Sequence, residues 1–254
     1  MYALIGGSGF TSDDVIADRE EVEIETPYGR TSAPIVIGRL GRAQVAFLRR
    51  HGRRHEYAPH LVPSRANLWA LSRLHVEGVV AVGTVGGISS DMGPGGIAVP
   101  DQLLDCTWGR EVTYYDSPEA GVKHIDFTYP FDRPLSAELV RAAERIGRRV
   151  KPDGVYACTQ GPRLETKAEV ERLRRAGADM IGMTLYPECA LARELGLAYS
   201  GICVSVNHAA GIGDSSEKID FESLKDEVER TVADVVAVVR EALEGFEAHK
   251  SQAQ

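Results

Sequence analysis

The sequence predicts an α/β fold on two grounds. Short apolar runs alternate with longer amphipathic stretches, and nothing between them reads as a linker long enough to separate two domains. With 254 residues, 43% of them hydrophobic, the chain can bury one sizeable core. A single domain over 1–247 is expected, with 248–254 as a frayed tail. The runs YALI, APIVIG, QVAFL, GVVAVG, GGIAVP, GVYACT, DMIGMT and AYSGICVSV have the length and character of buried strands. They predict a central mixed β-sheet flanked by helices.

Helices fall between several of these runs. Ser64 to His75 reads as one and Ala137 to Arg149 as another. Thr166 to Ala176 opens with T-x-x-E, a capping box in which Thr166 and Glu169 satisfy each other's end donors, and Gly177 closes it. From about Asp220 to Leu243, the residues Phe221, Leu224, Val228, Val232, Val235, Val239 and Leu243 recur at three- and four-residue spacing, which is a core-facing stripe.

Composition narrows the function. A formal net charge of -8 argues against nucleic-acid binding, which needs an excess of Lys and Arg over an extended face, so any bound anion must be small and locally held. Cys106, Cys158, Cys189 and Cys203 are far apart with no C-x-x-C pair, as buried free thiols in a reducing cytosol would be. The first residues, MYALIGGSGF, have no basic stretch or long apolar run, and no later segment approaches the roughly 18 apolar residues of a membrane span. A cytoplasmic protein with no membrane or nucleic-acid partner is expected.

Three stretches concentrate groups that can hold an anion. YALI runs into Gly6-Gly7-Ser8-Gly9, where backbone N–H groups can converge and Ser8 adds a hydroxyl; a tight turn after an edge strand is the alternative. It is neither G-x-G-x-x-G nor a Walker loop, since no Lys follows. RRHGRRHEYAPH gathers Arg49, Arg50, Arg53, Arg54, His51, His55 and His60, either as an oxyanion site or as a solvated basic loop. His51 and His55 have the spacing of a zinc helix, but Gly52 weakens that helix and the neighbouring arginines repel a dication, so no metal is expected. The third stretch, GTVGGISSDMGPGGIAVPDQ, is richer in glycine than a connection needs. Main-chain amides of Gly83, Thr84, Gly86 and Gly87 could line a ligand there, or the segment could be an irregular turn. Each stretch follows an apolar run, and α/β sheets bind ligands beyond strand ends.

From Tyr2 to about Ala210 the motifs IGGSGF, TPYGRTSAP, RHGRRH…PHLVPSRANLWAL, GPGGIAVPDQLLD, HIDFTYPF and GPRLETKAE…GADMIGMTLYPECALARELG follow in order. Together they resemble the purine nucleoside phosphorylase superfamily, in its 5'-methylthioinosine and 5'-methylthioadenosine phosphorylase branch. The resemblance implies a homotrimer of α/β domains that cleaves 5'-methylthio purine nucleosides with inorganic phosphate, in purine salvage. The products would be free purine and 5-methylthioribose 1-phosphate, with no organic cofactor and no metal. It assigns Ser8, Arg50, His51, Thr84 and Thr184 to phosphate, Met183 to the ribose, and His124 to the 5' end of a neighbouring subunit's substrate. Leu164, Glu165, Asn207 and Ala209 fall on the nucleoside, with Asn207, Glu165 and His51 carrying the chemistry.

Glu165 stands at a helix mouth, where a carboxylate could simply oppose the dipole. Ionised, it only accepts hydrogen bonds, so it suits N1–H of hypoxanthine or guanine and repels the N1 lone pair of adenine. The resemblance points the same way: its 6-oxopurine enzymes carry this Glu, and methylthioadenosine phosphorylases typically carry Ser. Asn207 is likewise the residue of 6-oxopurine enzymes where adenine-specific ones have Asp, and NHAAGIGD has Ala209 in place of their second Asp. A preference for 5'-methylthioinosine is therefore expected. A methylthioadenosine phosphorylase, or a broader inosine and guanosine phosphorylase, is the alternative. A nucleoside hydrolase or a nucleotide-sensing module would lack phosphate-dependent turnover.

Overall fold

The structure, a computed structural model, describes residues 1–7, 15–216 and 225–253. Its strands are β1 (Tyr2–Gly6), β2 (Ala17–Val22), β3 (Ile35–Leu40), β4 (Ala43–Arg49), β5 (Gly78–Gly87), β6 (Ile97–Ala98), β7 (Gln102–Cys106), β8 (Val155–Thr159), β9 (Met180–Gly182) and β10 (Ala198–His208). Its helices are α1 (Ser64–Arg73), α2 (Arg133–Arg145), α3 (Lys167–Arg175), α4 (Leu185–Glu194) and α5 (Lys225–Ala253).

Among the described residues the strands form one mixed sheet in the order β2-β3-β4-β1-β5-β9-β8-β7, with β10 joining β5 and β6 off this path. β4, β1, β5 and β10 are mutually parallel. β9 pairs with the last two residues of β5 in the opposite sense, and β8 and β7 follow it. The sheet therefore reverses direction at the β5/β9 seam, and such a reversal opens a crevice that connecting segments do not fill.

Alternation along the central strands explains why both faces of the sheet are covered. Ala3 and Ile5 pack with Leu68 and Leu71 of α1 and Leu191 of α4. Leu4, between them, packs with Leu139 of α2 and Val235, Val239 and Leu243 of α5. Successive side chains point to opposite faces, so an uninterrupted apolar strand requires helices on both sides. Each such side chain contributes roughly 1.5–3 kcal/mol on burial. The stripe expected on the last helix is thus seated in the core through Val232, Val235, Val239 and Leu243, while Asp220, Phe221 and Leu224 lie outside the described residues.

Several boundaries differ from expectation. α2 starts four residues earlier than Ala137, because Asp132 caps it by accepting from the Leu135 backbone N–H and Pro134 suits its first turn. It also ends earlier, before Gly147, which adopts φ +68. α5 runs to Ala253, so positions 248–253 continue the helix. GGIAVP contains only the two-residue β6. β2, with sequence ADREEV, has no apolar run to signal it: it is an exposed edge strand held antiparallel to β3. α4 is likewise unexpected from the sequence, because Pro187 interrupts its pattern. Tyr186 before it is extended (φ -113, ψ 133), so Pro187 stands where the helix proper begins and no N–H is needed.

Candidate active site

The side chains of interest converge on a cavity at the seam, reached from the ends of β4, β5, β9 and β10 and from the segment leading into α3. Arg50 follows β4 directly, and its backbone N–H donates to Gly6 O at the end of β1 (3.0 Å). Its guanidinium is fully buried. Nε and Nη2 donate to the two carboxylate oxygens of Glu188 at 2.6 and 3.0 Å, and Nη1 donates to Val82 O at 2.7 Å. Glu188, itself buried on α4, also accepts from the Tyr199 hydroxyl at 2.7 Å. Burial opposes the Arg50 charge, but Glu188 beside it holds the pKa above the ordinary arginine value. A guanidinium has five N–H groups, so two remain for a ligand. The glycine loop is shaped around it: a Cβ on Gly7 would lie 2.8 Å from Nη1 and 2.9 Å from the Val82 carbonyl oxygen. Ser8 lies outside the described residues.

His51, expected at the phosphate, turns its one donor away from the cavity. Its Nδ1 lies 2.8 Å from Tyr57 O; a carbonyl only accepts, so Nδ1 carries the proton. Burial, with Arg50 and His55 nearby, lowers its pKa to about 4, so the ring is neutral at pH 7. Nε2 therefore presents a lone pair. The loop closes on itself, with Tyr57 N–H donating to His51 O (3.0 Å) and the His55 ring stacked on His51 at 4.4 Å between centroids. His55 adopts φ +59, a conformation that costs a non-glycine residue energy and recurs at functional sites.

The first five residues of the glycine-rich stretch, GTVGG, continue the strand, and the residues from Ile88 to Gly96 form a loop. β5 extends to Gly87, with ladder partners on β10 from Gly83 to Gly87 and on β9 at Gly86 and Gly87. Gly87 is required by packing, since Met92 O occupies the space of a side chain there. Thr84 and Gly86 line the cavity. Opposite them, Met183 and Thr184 follow β9. The Tyr156 hydroxyl accepts from Thr184 N–H at 3.2 Å, and the Thr184 side chain makes no cap bond to α4, leaving its hydroxyl available.

Glu165 proves separate from the helix cap it precedes. The capping box of α3 is complete without it: Thr166 Oγ1 accepts from Glu169 N–H (3.2 Å), and Glu169 Oε2 accepts from Thr166 N–H (2.8 Å). Arg163 and the Thr166 N–H lower the Glu169 carboxyl to about 2, so the helix N-terminus already has its anion. Glu165 instead accepts at Oε1 from Thr159 Oγ1 (2.5 Å), and Oε2 remains available at the cavity. Asn207 reaches the cavity through an irregularity of β10 between Ser205 and Asn207, which brings the consecutive residues Val206 and Asn207 to one wall. One Nδ2–H donates to His208 O at 2.5 Å, so the second N–H and Oδ1 are left for a ligand. Leu164 and Ala209 complete this side. His124 is placed elsewhere, exposed on the segment between β7 and α2 and away from its own chain's cavity. Glu188, Tyr199, Tyr156 and Thr159 were missed: their roles depend on contacts between distant segments. Only Thr159, polar at a strand end six residues before Glu165, offered a local hint.

The chain is similar in sequence and in fold to known proteins. A probable S-methyl-5'-thioinosine phosphorylase of Pseudomonas syringae pv. tomato is 47% identical over 211 residues, 83% of this chain and 86% of that one. A 6-oxopurine nucleoside phosphorylase of Pyrococcus furiosus is 38% identical over 246 residues, 95% of this chain and 91% of that one. Among solved structures, methylthioadenosine phosphorylase of Schistosoma mansoni in complex with adenine has a TM-score of 0.90 at 29% identity, over 97% of this chain and 92% of its own. The phosphorylase superfamily pattern itself matches residues 1–244. Likeness of this extent, in sequence and in fold, means that the chain belongs to the phosphorylase superfamily.

Proposed function

We propose that this chain cleaves 5'-methylthio purine nucleosides by phosphorolysis and prefers 5'-methylthioinosine to 5'-methylthioadenosine. The observation that carries the preference is Glu165: Glu169 serves the helix in its place, and Thr159 holds one oxygen of a carboxylate that lines the cavity. A carboxylate accepts from N1–H of a 6-oxopurine and repels N1 of adenine. Asn207 complements it, with its free N–H donating to O6 and Oδ1 accepting from N7 as the leaving base takes up a proton.

The reaction breaks the C1'–N9 bond and forms a C1'–O bond to phosphate. The base departs with the electron pair through an oxocarbenium-like transition state, which the phosphate anion beneath C1' stabilises while it attacks. Arg50, with two donors left, and the hydroxyl of Thr184 hold that anion. Neutral His51 accepts the hydrogen of a protonated phosphate oxygen at Nε2. Phosphorolysis is favoured over hydrolysis because phosphate is already an anion that Arg50 can hold, whereas water would have to be deprotonated, and the one carboxylate among the described lining residues, Glu165, is engaged with the purine. Inorganic phosphate is the only co-substrate required.

A homotrimer in the cytoplasm completes the reading, with His124 lent to a neighbouring subunit. The segment that carries His124 also exposes Trp108, Val122 and Tyr129, at 67%, 82% and 45%, as a contact surface would. No helix among the described residues is long and apolar enough to cross a membrane. The test is purine release from 5'-methylthioinosine, 5'-methylthioadenosine, inosine and adenosine, with and without phosphate. Strictly phosphate-dependent release, fastest from 5'-methylthioinosine, is expected. Equal release without phosphate would overturn phosphorolysis, and a higher kcat/KM for the 6-amino nucleoside would overturn the base preference.

A further inference from the structure

Arg110 makes no contribution to the cavity wall, yet it joins the two segments that do. Gly109, at φ +63, turns the chain back after the exposed Trp108, so that the Arg110 side chain enters the protein behind the site. Nε donates to Gln160 Oε1 at 3.1 Å. Nη1 donates to Met183 O and Tyr186 O, both at 2.8 Å, and Nη2 to Thr159 O and Gln160 O, both at 2.9 Å. All five N–H groups of the guanidinium are thereby used on neutral carbonyls, and Nη1 also lies 4.0 Å from the Cys158 sulfur. Arg110 has nothing left to offer a substrate.

The acceptors fall in two groups. Thr159 and Gln160 end β8 and lead to Glu165, and Thr159 also holds the Glu165 carboxylate. Met183 precedes Thr184 in the turn after β9, and Tyr186 follows it in the non-helical start of α4. We infer that Arg110 is a positioning residue which fixes the spacing between the base-reading loop and the ribose and phosphate turn, through one planar guanidinium shared between their carbonyls. No other side-chain chemistry suits this place: a lysine has one nitrogen and at most three donors, which cannot span carbonyls on both segments in a fixed plane. The inference rests on the reading that Glu165 holds the base and Met183 and Thr184 the sugar and phosphate.

The test uses the full-length protein with Arg110→Lys, and Arg110→Ala assayed with and without added guanidinium ion. A displacement of reacting groups by about 1 Å costs about 100-fold in rate, so kcat/KM for the nucleoside should fall by about 10- to 100-fold in Arg110→Lys, through both kcat and KM. The KM for phosphate, set mainly by Arg50 on the other side of the seam with one hydroxyl from Thr184, should change by less than the KM for the nucleoside. The ratio of kcat/KM for 5'-methylthioinosine over 5'-methylthioadenosine should shrink, and guanidinium should restore part of the activity of Arg110→Ala. Unchanged nucleoside kcat/KM in folded Arg110→Lys would overturn the inference. So would a loss confined to kcat, with every KM and the base ratio intact, which is how a smaller folded fraction behaves. If the wild-type enzyme itself shows no base preference, the reading of Glu165 fails, and the split between nucleoside KM and phosphate KM still decides the role of Arg110.

Discussion

On the β4 side of the cavity, Arg50 already uses three of its five donors within the protein, two of them in a buried ion pair with Glu188. On the β8 and β10 side, Glu165 and Asn207 are each tied by a single bond and keep atoms free. The difference follows from charge and burial. A guanidinium with no exposed surface must have a permanent counter-ion, because an unpaired charge in the interior costs several kcal/mol whether or not a ligand is present. Glu188 supplies it, and the anion end is thus organised before phosphate arrives. The base end carries groups that need only be aimed, and each has one tether that aims it. One side is built to hold a nucleophile in place and the other to tell bases apart.

The contrast breaks most visibly at Arg50. Arg50→Ala removes both donors left for phosphate and strands Glu188 as an unpaired buried carboxylate. The KM for phosphate should rise by about 100-fold, from charge-assisted bonds worth about 1.5–3 kcal/mol each, and stability should drop by about 3–5 kcal/mol. Steady-state kinetics at varied phosphate and urea denaturation measure the two. Glu188→Gln, which preserves shape while removing the counter-charge, should reproduce the stability loss in part with Arg50 intact. An unchanged phosphate KM in Arg50→Ala would remove Arg50 from the site.

The next effect belongs to His51. Its folded pKa of about 4 lies below the ordinary 6.5, so the unfolded chain takes up a proton first as pH falls. The stability held by the neutral ring is complete above pH 6.5 and is lost between pH 6.5 and 4, by about 3 kcal/mol in all. His51→Asn, which keeps a donor for Tyr57 O and cannot titrate, should flatten that part of the stability profile. Denaturation of both proteins at pH 7 and pH 4.5 tests this, and parallel profiles would count against it.

Effects on the base side are smaller and concern choice rather than stability. Asn207→Asp replaces the remaining N–H donor with an acceptor, so the kcat/KM ratio should move towards the 6-amino nucleoside by about 10-fold or more. Thr159→Val frees the Glu165 carboxylate from its tether at a cost of about 1 kcal/mol, a several-fold loss with 5'-methylthioinosine that Thr159→Ser should largely recover. A Thr159→Val enzyme with the wild-type base ratio would mean that Glu165 is aimed by something else.

Sequence legibility follows the same division. The tether of the base side is local: Thr159 and Glu165 are six residues apart, in a stretch whose capping box could be read directly from T-x-x-E. The anion side pairs Arg50 with Glu188, 138 residues away, and no periodicity or end signal connects them. Arg110 was equally invisible, because its acceptors are backbone carbonyls, which every residue has. Edge strand β2 escaped because ADREEV is exposed almost throughout and carries no apolar alternation, and α2 begins earlier than the apolar pattern suggests because of its Asp132-Arg133-Pro134 start.

By itself the sequence determined the alternation of strands and helices, the faces they bury, the cap that leaves Glu165 unoccupied by its helix, and the residues that crowd the strand ends. These depend on side-chain period and on hydrogen bonds spanning a few residues, which are properties of a segment alone. Tertiary structure decided which donors are already in use. It set the Nδ1–H of His51 on Tyr57, Arg50 on Glu188 and Val82, and the five donors of Arg110 on two separate turns. It also reversed the sheet at β5 and β9 and shifted β10 at Asn207, so that residues from distant segments share one cavity. The reason is that a buried polar group takes whatever partner packing brings within reach, and that partner is set by how whole elements stack.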